Sequence, residues 1–378
     1  MPKKDWMVKE SDLEKDDIQY KVLKGMNEKS AIVTGCAGSG KSVLALIKAQ
    51  RIQKEKGNDY QIIVYTKSLC QYMNSGREEL NLVKDLAYHQ EWKYKRIPKT
   101  YANGVTYMVY EKDEYGNYIP KDNLPQADYT IVDEIQDFTK EEIGEFISAT
   151  RKHFYFFGDT AQSVFKGLKN TLPVEYILYE FPEYREPKTQ TFKLYNNYRL
   201  PLSVAKLAQN IGEDLPEFDE SIYKSPEKQK PYLLEFAGDE QHIDFLIETI
   251  KKRELRDVGI LVLENVSVKE ISIAMRAKGM DNEVKYKDPE TGRPIDTLNF
   301  STSLPKIMTY HSAKGLQFES VFLPMLPTVI QRRSALYVAM TRTYHYLYLM
   351  YSGSLLDLFA NASKEDYLTS TDIIVEEK

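Results

Sequence analysis

Short apolar runs alternate along the chain with amphipathic stretches, which is the pattern of parallel strands connected by helices. The first half contains such runs at residues 30–34, 61–65, 129–132, 153–157 and 191–194. A second series lies at residues 231–236, 259–263, 306–310, 321–323 and 344–350. Helices are predicted between the strands, among others at residues 43–52, 68–85, 241–253, 268–278 and 333–341. Because parallel strands need crossover connections, this order predicts an α/β protein with two parallel sheets.

Three stretches interrupt the alternation. Residues 88–126 are polar and rich in tyrosine, glycine and proline, and they predict an insertion in the first lobe. Residues 212–230 are acidic, contain proline and lack a clear period, which predicts a linker. Residues 281–304 predict a short insertion in the second lobe. The expected lobes are therefore residues 1–211 and residues 231–378.

Composition limits the class of protein. With 378 residues, of which 42% are hydrophobic and 28% charged, the chain is expected to be soluble and to form two or three domains. The net charge of −5 gives no sign of nucleic acid, but a basic groove can lie on an acidic protein. The two cysteines, Cys36 and Cys70, have no paired spacing, which argues against disulfides and zinc and favours a cytoplasmic location. No signal peptide or membrane-spanning segment is predicted.

A glycine-rich segment at residues 35–42 follows the first predicted strand and precedes a predicted helix. Its sequence is Gly35-Cys36-Ala37-Gly38-Ser39-Gly40-Lys41-Ser42. The backbone N–H groups of such a turn bind phosphate oxygens, while the lysine reaches the β- and γ-phosphates and the final hydroxyl reaches Mg²⁺. Glycine-rich turns ending in Gly-Lys-Ser also arise by chance, but the strand before and the helix after favour a phosphate-binding loop.

Two adjacent carboxylates, Asp133 and Glu134, follow the predicted strand at residues 129–132. At the end of a buried strand, Asp133 is placed to hold Mg²⁺, and Glu134 is placed to orient and deprotonate an attacking water. The alternative is an acidic helix N-terminus favoured by the helix dipole. The phosphate-binding loop in the same chain favours the first interpretation. Together the two segments predict a site for a nucleoside triphosphate.

Six segments, in this order, resemble the motifs of superfamily 1 helicases of the UvrD/Rep-like branch. They are residues 35–42, 133–137, 158–163, 197–199, 308–319 and 337–342. Gln19 lies where that family has its adenine-reading glutamine. The resemblance covers about residues 13–350 and implies two RecA-like P-loop NTPase lobes with the ATP site in the cleft between them.

The resemblance implies roles for individual residues. Catalytic roles fall on Lys41, Asp133, Glu134, Gln162, Arg199 and Arg342. In this set Gln162 would sense the γ-phosphate, and the two arginines would act as arginine fingers on the developing charge. Contacts to ATP are implied for Gln19, Gly35, Cys36, Ala37, Gly38, Ser39, Gly40, Lys41, Ser42, Tyr198, Gly315 and Gln317, and contacts to Mg²⁺ for Ser42 and Asp133. Taken singly, Gln162 could be a surface amide and Arg342 a cation at a helix C-terminus, but their order along the chain favours the motifs.

A path for nucleic acid is implied as well. Family members bind a single strand across both lobes by phosphate contacts and aromatic stacking. By their positions in the family's motifs, the expected contacts are Thr66, Thr100, Tyr101 and His311. Trp92 is expected as well, because residues 92–96 interleave aromatic side chains with lysine and arginine, which is the composition of a stacking groove. The alternatives are ordinary aromatic packing in a solvated hairpin for the stretch around Trp92, and a packing role for His311, which is not expected to be catalytic.

Both insertions are short compared with those of full UvrD/Rep-like helicases. The resemblance therefore implies an ATP-dependent translocase or weak helicase on single-stranded nucleic acid, DNA with RNA not excluded, moving 3′ to 5′ by analogy. It leaves room for a protein partner in a repair, phage or defence complex. The alternative function is an ATPase switch subunit, regulated by nucleic acid or by a partner, without processive unwinding.

Overall fold

The structure is a computed structural model. It describes residues 18–26, 28–100, 106–160, 170–212, 217–327, 333–355, 357–360 and 362–370, together with residues 13, 104, 215 and 372. None of the helices in these segments is long and apolar enough to cross a membrane.

The first lobe contains a six-stranded sheet. Along the chain its elements are α1 (Ile18–Gly25), β1 (Ser30–Gly35), α2 (Lys41–Lys56), β2 (Tyr60–Val64), α3 (Lys67–Arg77), β3 (Ala87–Tyr88), α4 (His89–Lys93), β4 (Arg96–Thr100), β5 (Thr106–Tyr110), β6 (Ala127–Val132), α5 (Lys140–Ser148), β7 (Thr150–Gly158), α6 (Ile177–Glu180), β8 (Thr189–Leu194) and α7 (Leu202–Gln209). The strand order is β3-β2-β6-β7-β1-β8, and every pairing in this sheet is parallel. Because the strands are parallel, the loops that follow β1 and β6 lie at the same edge of the sheet.

The second lobe contains a seven-stranded sheet. Its elements are β9 (Tyr232–Phe236), α8 (Asp239–Lys252), β10 (Val258–Val262), α9 (Asn265–Ala277), β11 (Glu283–Lys287), β12 (Pro294–Asp296), β13 (Lys306–Thr309), β14 (Phe318–Leu323), α10 (Arg333–Met340) and β15 (Thr343–Ser352). The order is β12-β11-β13-β10-β14-β15-β9, and β12 alone pairs in the antiparallel sense. The prediction of an α/β protein with two largely parallel sheets is confirmed.

Two predicted elements differ from the structure. The helix predicted within residues 68–85 occupies only Lys67–Arg77, and shortly afterwards Asn81 adopts a left-handed backbone conformation that no α-helix accommodates. The stretch at residues 281–304 contains the β11–β12 hairpin, which extends the second sheet. Its partly buried Tyr286 and Ile295 pack on the core of that lobe, so the strand pattern becomes apparent only once the partner surface is known.

The predicted first insertion has two parts with different environments. Strands β4 and β5 form an antiparallel hairpin that joins neither large sheet, and the residues of β4 are all exposed. Helix α4, in contrast, packs into the lobe, because Trp92 belongs to an apolar cluster with Ile63 and Phe146. The hairpin therefore lies outside both large sheets, whereas α4 is part of the first lobe.

The two lobes share an apolar core. Leu69 and Tyr72 of α3 belong to the same buried cluster as Tyr310 and Leu316 of the second lobe. The ring of Tyr72 also meets the ring of Phe300 edge to face, with centroids 5.4 Å apart. Full burial of a large apolar side chain contributes about 1.5–3 kcal/mol. The side chains of the two lobes therefore pack directly against each other beside the cleft between them.

Candidate functional site

The glycine-rich loop connects β1 to the first residue of α2. Gly38 and Gly40 have φ values of 76° and 87°, in the left-handed region that glycine adopts without strain. A Cβ atom at Gly38 would collide with the side chain of Asn197, and one at Gly40 would collide with the side chain of Gln19. The loop is therefore enclosed by α1 on one side and by the segment after β8 on the other.

Two residues expected to contact the nucleotide lie against this loop. The side chain of Gln19 donates from Nε2 to the carbonyl of Ser39 at 2.8 Å. The backbone N–H of Tyr198 donates to the carbonyl of Gly38 at 3.1 Å. The structure thus brings together three segments that are far apart in the sequence.

The lysine of the loop is buried within it. Lys41 Nζ donates to the carbonyl oxygens of Gly35 and Cys36, at 2.7 and 3.0 Å. Burial raises the pKa of the Cys36 thiol, despite the opposing charge of Lys41, so this thiol is protonated at neutral pH. The loop therefore presents one ammonium group and no thiolate.

Asp133 is fully buried at the end of β6. Its Oδ1 accepts the backbone N–H of Glu134 at 3.0 Å, whereas its buried Oδ2 has no hydrogen-bond partner within the described part of the chain. Burial and the negative charge of Glu134 raise the pKa of Asp133 above its usual value, although Ser42 and the charge of Lys41 oppose this rise. A carboxylate oxygen without a partner beside a hydroxyl is a donor set that suits Mg²⁺. The residues present therefore fit the implied metal.

Glu134 has an unusual backbone. Its φ of 56° lies in the left-handed region, which a non-glycine residue adopts at a cost of about 1–3 kcal/mol. Its side chain accepts a hydrogen bond from Gln136 Nε2, and Gln136 Oε1 in turn accepts the backbone N–H of Asp159 at 3.0 Å. Gln136 lies within the motif at residues 133–137, where the sequence indicated no role for it, and the structure shows that it orients the carboxylate of Glu134.

Positive charge surrounds Glu134. Burial raises the pKa of this carboxyl group, but the charges of Lys314, Lys41 and Arg342 outweigh that effect and lower the pKa below its usual value. Lys314 comes from the second lobe and donates to both carboxylate oxygens of Asp137 at 2.6 Å, with both side chains almost completely buried. Lys314 lies within the motif at residues 308–319, which is the only signal that could have drawn attention to it.

The two predicted arginine fingers meet where the lobes touch. Arg199 of the first lobe donates from Nη2 to the carbonyl of Thr341 at 3.1 Å. Arg342 is 2% exposed and donates to the Val338 carbonyl at 2.8 Å. Burial lowers the pKa of Arg199, and the nearby charge of Arg342 lowers it further. Both guanidinium groups thus lie at the lobe interface, close enough to act on Glu134 electrostatically.

Three other residues were expected to contact the nucleotide: Gln162, Gly315 and Gln317. Gln162 lies outside the described residues. A Cβ atom at Gly315 would approach the side chain of Leu69 to 2.9 Å, so this glycine lies against α3. Gln317 is partly buried just before β14. Nucleotide contacts by these three residues stay predictions.

A cavity of about 290 Å³ opens between the lobes, and we call it the groove. Thr66 and His311, which the sequence proposed as nucleic-acid contacts, both line it. Its other lining residues are Tyr65, Lys67, Ser68, Tyr88, His89, Gln90, Tyr94, Glu142, Lys285 and Ser312. Most of these had no assigned role, because their convergence depends on the packing of both lobes.

Contrary to expectation, the structure does not expose Trp92 to a bound strand. Its side chain is 3% exposed, its Nε1 donates to Gln61 Oε1 at 2.9 Å, and its ring packs on Phe146 with centroids 5.2 Å apart. Thr100 does not line the groove, because it ends the exposed strand β4 and hydrogen-bonds to Thr106 at 2.8 Å. Tyr101 lies outside the described residues.

Comparison with protein families gives two matches. The family described as an AAA domain matches residues 19–168, and the family described as a UvrD-like helicase C-terminal domain matches residues 306–350. Comparison with curated proteins gives no match.

Several solved helicase structures resemble the chain distantly. The C-terminal domain of a possible DNA helicase from Lactobacillus plantarum is 19% identical over 46% of this chain and 98% of that chain, with a TM-score of 0.33. The arterivirus nonstructural protein 10 helicase, solved with DNA, is 16% identical over 91% of this chain and 64% of that chain, with a TM-score of 0.43. The PRRSV helicase is 14% identical over 89% and 55%, with a TM-score of 0.43. The chain therefore spans less than two thirds of the length of these two viral helicases.

The two domain matches contain many of the residues of the site. The first match includes Gln19, the phosphate-binding loop and the Asp133-Glu134 pair. The second includes His311, Lys314 and Arg342, which contribute to the cleft and the groove. Within the residues that they cover, these matches support an ATP-hydrolysing P-loop enzyme of the UvrD-like helicase type.

Proposed function

We propose that the protein is an ATP-dependent translocase or weak helicase that moves 3′ to 5′ along single-stranded nucleic acid, with DNA as its track and Mg²⁺ as its metal. The observation that carries this proposal is the meeting of Arg199 and Arg342, one from each lobe, near Glu134 at the lobe interface. Such an arrangement makes hydrolysis depend on the contact between the lobes.

Each residue of the cleft would have a separate role in binding or hydrolysing ATP. Gln19 and Tyr198 flank the loop where the nucleoside would lie, and Lys41 would bind the phosphates. Ser42 and Asp133 would hold Mg²⁺, which supplies charge neutralisation of the phosphate oxygens when bound. Glu134, ionised because of its lowered pKa and oriented by Gln136, would accept the proton of the attacking water.

The groove supports a role for nucleic acid. It combines tyrosine rings with Lys67, Lys285 and His311, and stacking surfaces beside cations are what a single strand requires. His311 of the groove and Lys314 of the cleft are three residues apart in one loop of the second lobe. Movement of this loop when a strand binds would therefore reach the residues around Glu134.

The decisive experiment is the steady-state ATPase rate with single-stranded DNA, with single-stranded RNA and with neither, for the wild type and for Lys41→Ala. We expect strong stimulation by DNA that is absent in the variant. Stimulation by RNA alone would contradict the choice of track. Turnover indifferent to both nucleic acids would contradict the translocase and favour the partner-regulated switch.

Direction needs a separate measurement. Duplexes with a single-stranded tail at either end would be offered together with ATP, and displacement of a labelled strand would be followed. Release that requires a 3′ tail on the loading strand is expected. Release that requires a 5′ tail would contradict the proposed polarity.

A further inference from the structure

Three charged side chains and one hydroxyl meet at the edge of the groove. Lys67 and Ser68 belong to the first turn of α3, Lys285 lies on β11, and Asp296 ends β12. Asp296 Oδ2 is 3.4 Å from Lys67 Nζ and 3.9 Å from Lys285 Nζ. Lys285 Nζ also donates to Ser68 Oγ at 2.5 Å. The Asp296 carboxylate therefore lies within 4 Å of two lysine ammonium groups, one from each lobe.

The hairpin fixes Asp296 beside Lys285. These two residues are directly paired in the antiparallel β11–β12 ladder. Their side chains therefore remain neighbours even when the first lobe moves relative to the second. Their side chains are 15% and 21% exposed, whereas that of Lys67 is 50% exposed. Of the two lysines, Lys67 is thus the one that can leave Asp296 at little cost.

The cations of this cluster face the groove. Lys67, Ser68 and Lys285 all line it, together with Thr66, whose Oγ1 accepts the backbone N–H of Leu69 at 3.1 Å at the start of α3. Two ammonium groups and hydroxyls at the beginning of a helix are the donors that bind a phosphodiester. Asp296 does not line the groove, but its charge neutralises the cations that do.

We propose that Asp296 is an internal counter-ion that competes with a nucleic-acid phosphate for Lys67 and Lys285, and that it thereby sets the affinity and the salt dependence of the groove. The inference rests on the proposed function, since it concerns the strand that the groove would bind. A phosphate that enters draws Lys67 away from Asp296, while Asp296 and Lys285 remain side by side. The strand therefore binds against an internal competitor rather than to free lysines.

A simpler interpretation is that Lys67 and Asp296 only hold the lobes together. The two interpretations make different predictions for how the affinity for nucleic acid changes when Asp296 or Lys67 is removed. If the Lys67–Asp296 ion pair only holds the lobes together, removing either residue weakens the same contact. Both removals should then change the affinity for nucleic acid in the same direction. If Asp296 is a counter-ion, its removal strengthens binding, whereas removal of Lys67 weakens it.

The test is fluorescence anisotropy of a labelled oligothymidine strand and, in parallel, of a labelled oligouridine strand, without nucleotide, across a series of salt concentrations. The proteins are the wild type, Asp296→Asn, Lys67→Met and the control Glu290→Gln. Glu290 lies in the turn of the same hairpin, is 79% exposed and pairs with Lys269, so its variant makes the same charge change away from the groove. Asp296→Ser and thermal unfolding of every variant guard against a folding defect.

We expect Asp296→Asn and Asp296→Ser to bind about three- to tenfold more tightly at low salt, and this gain should shrink as salt rises. Lys67→Met should bind more weakly, and Glu290→Gln should match the wild type. The plot of log affinity against log salt should become steeper by about 0.7 for Asp296→Asn, the value of one additional phosphate contact on a single strand.

The outcomes separate the two proposals. Affinity changes of the same sign in Asp296→Asn and Lys67→Met, or equal affinities of Asp296→Asn and Glu290→Gln, would overturn the counter-ion while leaving the translocase intact. Binding by Asp296→Asn where the wild type barely binds would support the counter-ion most directly. No binding by any of these proteins to either DNA or RNA would overturn both proposals.

Discussion

The nucleotide cleft and the groove are both built where the two lobes meet, but their side chains are held in different ways. In the cleft, Asp133, Glu134 and Arg342 are buried and fixed by hydrogen bonds or by one another's charge. In the groove, Tyr65 and Lys67 remain partly exposed. A buried charged cluster needs each partner in place, whereas a half-exposed surface tolerates replacement. Substitutions in the cleft should therefore cost far more than substitutions in the groove.

One loop connects the two regions. His311 lines the groove, and Lys314 is paired with Asp137 close to Glu134. One end of this short segment therefore belongs to the groove, and the other end belongs to the cleft. The following variants test the contrast between the cleft and the groove, from the largest expected effect to the smallest.

Glu134→Gln should abolish turnover while nucleotide binding persists. The amide keeps the shape of the side chain but accepts no proton, and loss of a general base costs about 10²–10⁴-fold in rate. The measurement is the ATPase rate beside an equilibrium titration with a fluorescent ATP analogue. Normal turnover in this variant would remove Glu134 as the base.

Lys314→Met should destabilise the protein by about 3–5 kcal/mol, because it leaves Asp137 buried without its counter-charge. Chemical denaturation would measure the loss. The double variant Lys314→Met with Asp137→Leu should recover much of it, since no unpaired charge remains. The matched control is Lys140→Met, which removes a surface ion pair with Glu180 and should have a much smaller effect. Equal losses for Lys314→Met and Lys140→Met would contradict the importance of burial.

Arg342→Lys should lower the ATPase rate by about 10²–10³-fold with little change in nucleotide affinity. Lysine keeps the charge but lacks the planar fork that a guanidinium group offers to the transferring phosphoryl group. The exposed Arg185, which donates to the Leu178 carbonyl at 2.8 Å, provides the control Arg185→Lys. A rate unaffected by Arg342→Lys would show that this arginine is structural.

Tyr65→Ala should weaken binding of single-stranded nucleic acid by about 1–3 kcal/mol, the contribution of one stacked base, and should leave the unstimulated ATPase rate nearly unchanged. Tyr115, which is 82% exposed and does not line the groove, supplies the control Tyr115→Ala. Anisotropy measures affinity for both variants. Equal affinities in the two variants would exclude Tyr65 as a stacking surface.

Local features of the sequence specify the backbone of the cleft. The strand, the glycine-rich loop and the helix that begins at Lys41 are consecutive, so the backbone that binds phosphate is specified within a few residues. The Asp133-Glu134 pair was equally readable, because it directly follows a buried strand. The meeting of Arg199 and Arg342 required the order of six motifs and the family resemblance.

The groove was predicted less well, and Trp92 shows why. A tryptophan among lysines has the composition of a nucleic-acid contact, yet this one is buried against Phe146 and hydrogen-bonded to Gln61. Composition does not reveal which side of a short helix faces the core. Aromatic residues supply the largest gain on burial, so the packing of α4 decided its position.

The sequence by itself determined the two parallel α/β lobes, the phosphate-binding loop and the acidic pair, because these depend on backbone geometry and on patterns that span one strand or one helix. Only the tertiary structure decided the contacts between the lobes. Lys314 and Asp137 are 177 residues apart, and Lys285 and Ser68 are 217 residues apart. Such pairs form because two folded surfaces meet and their buried charges require partners. No local pattern specifies which surfaces those will be.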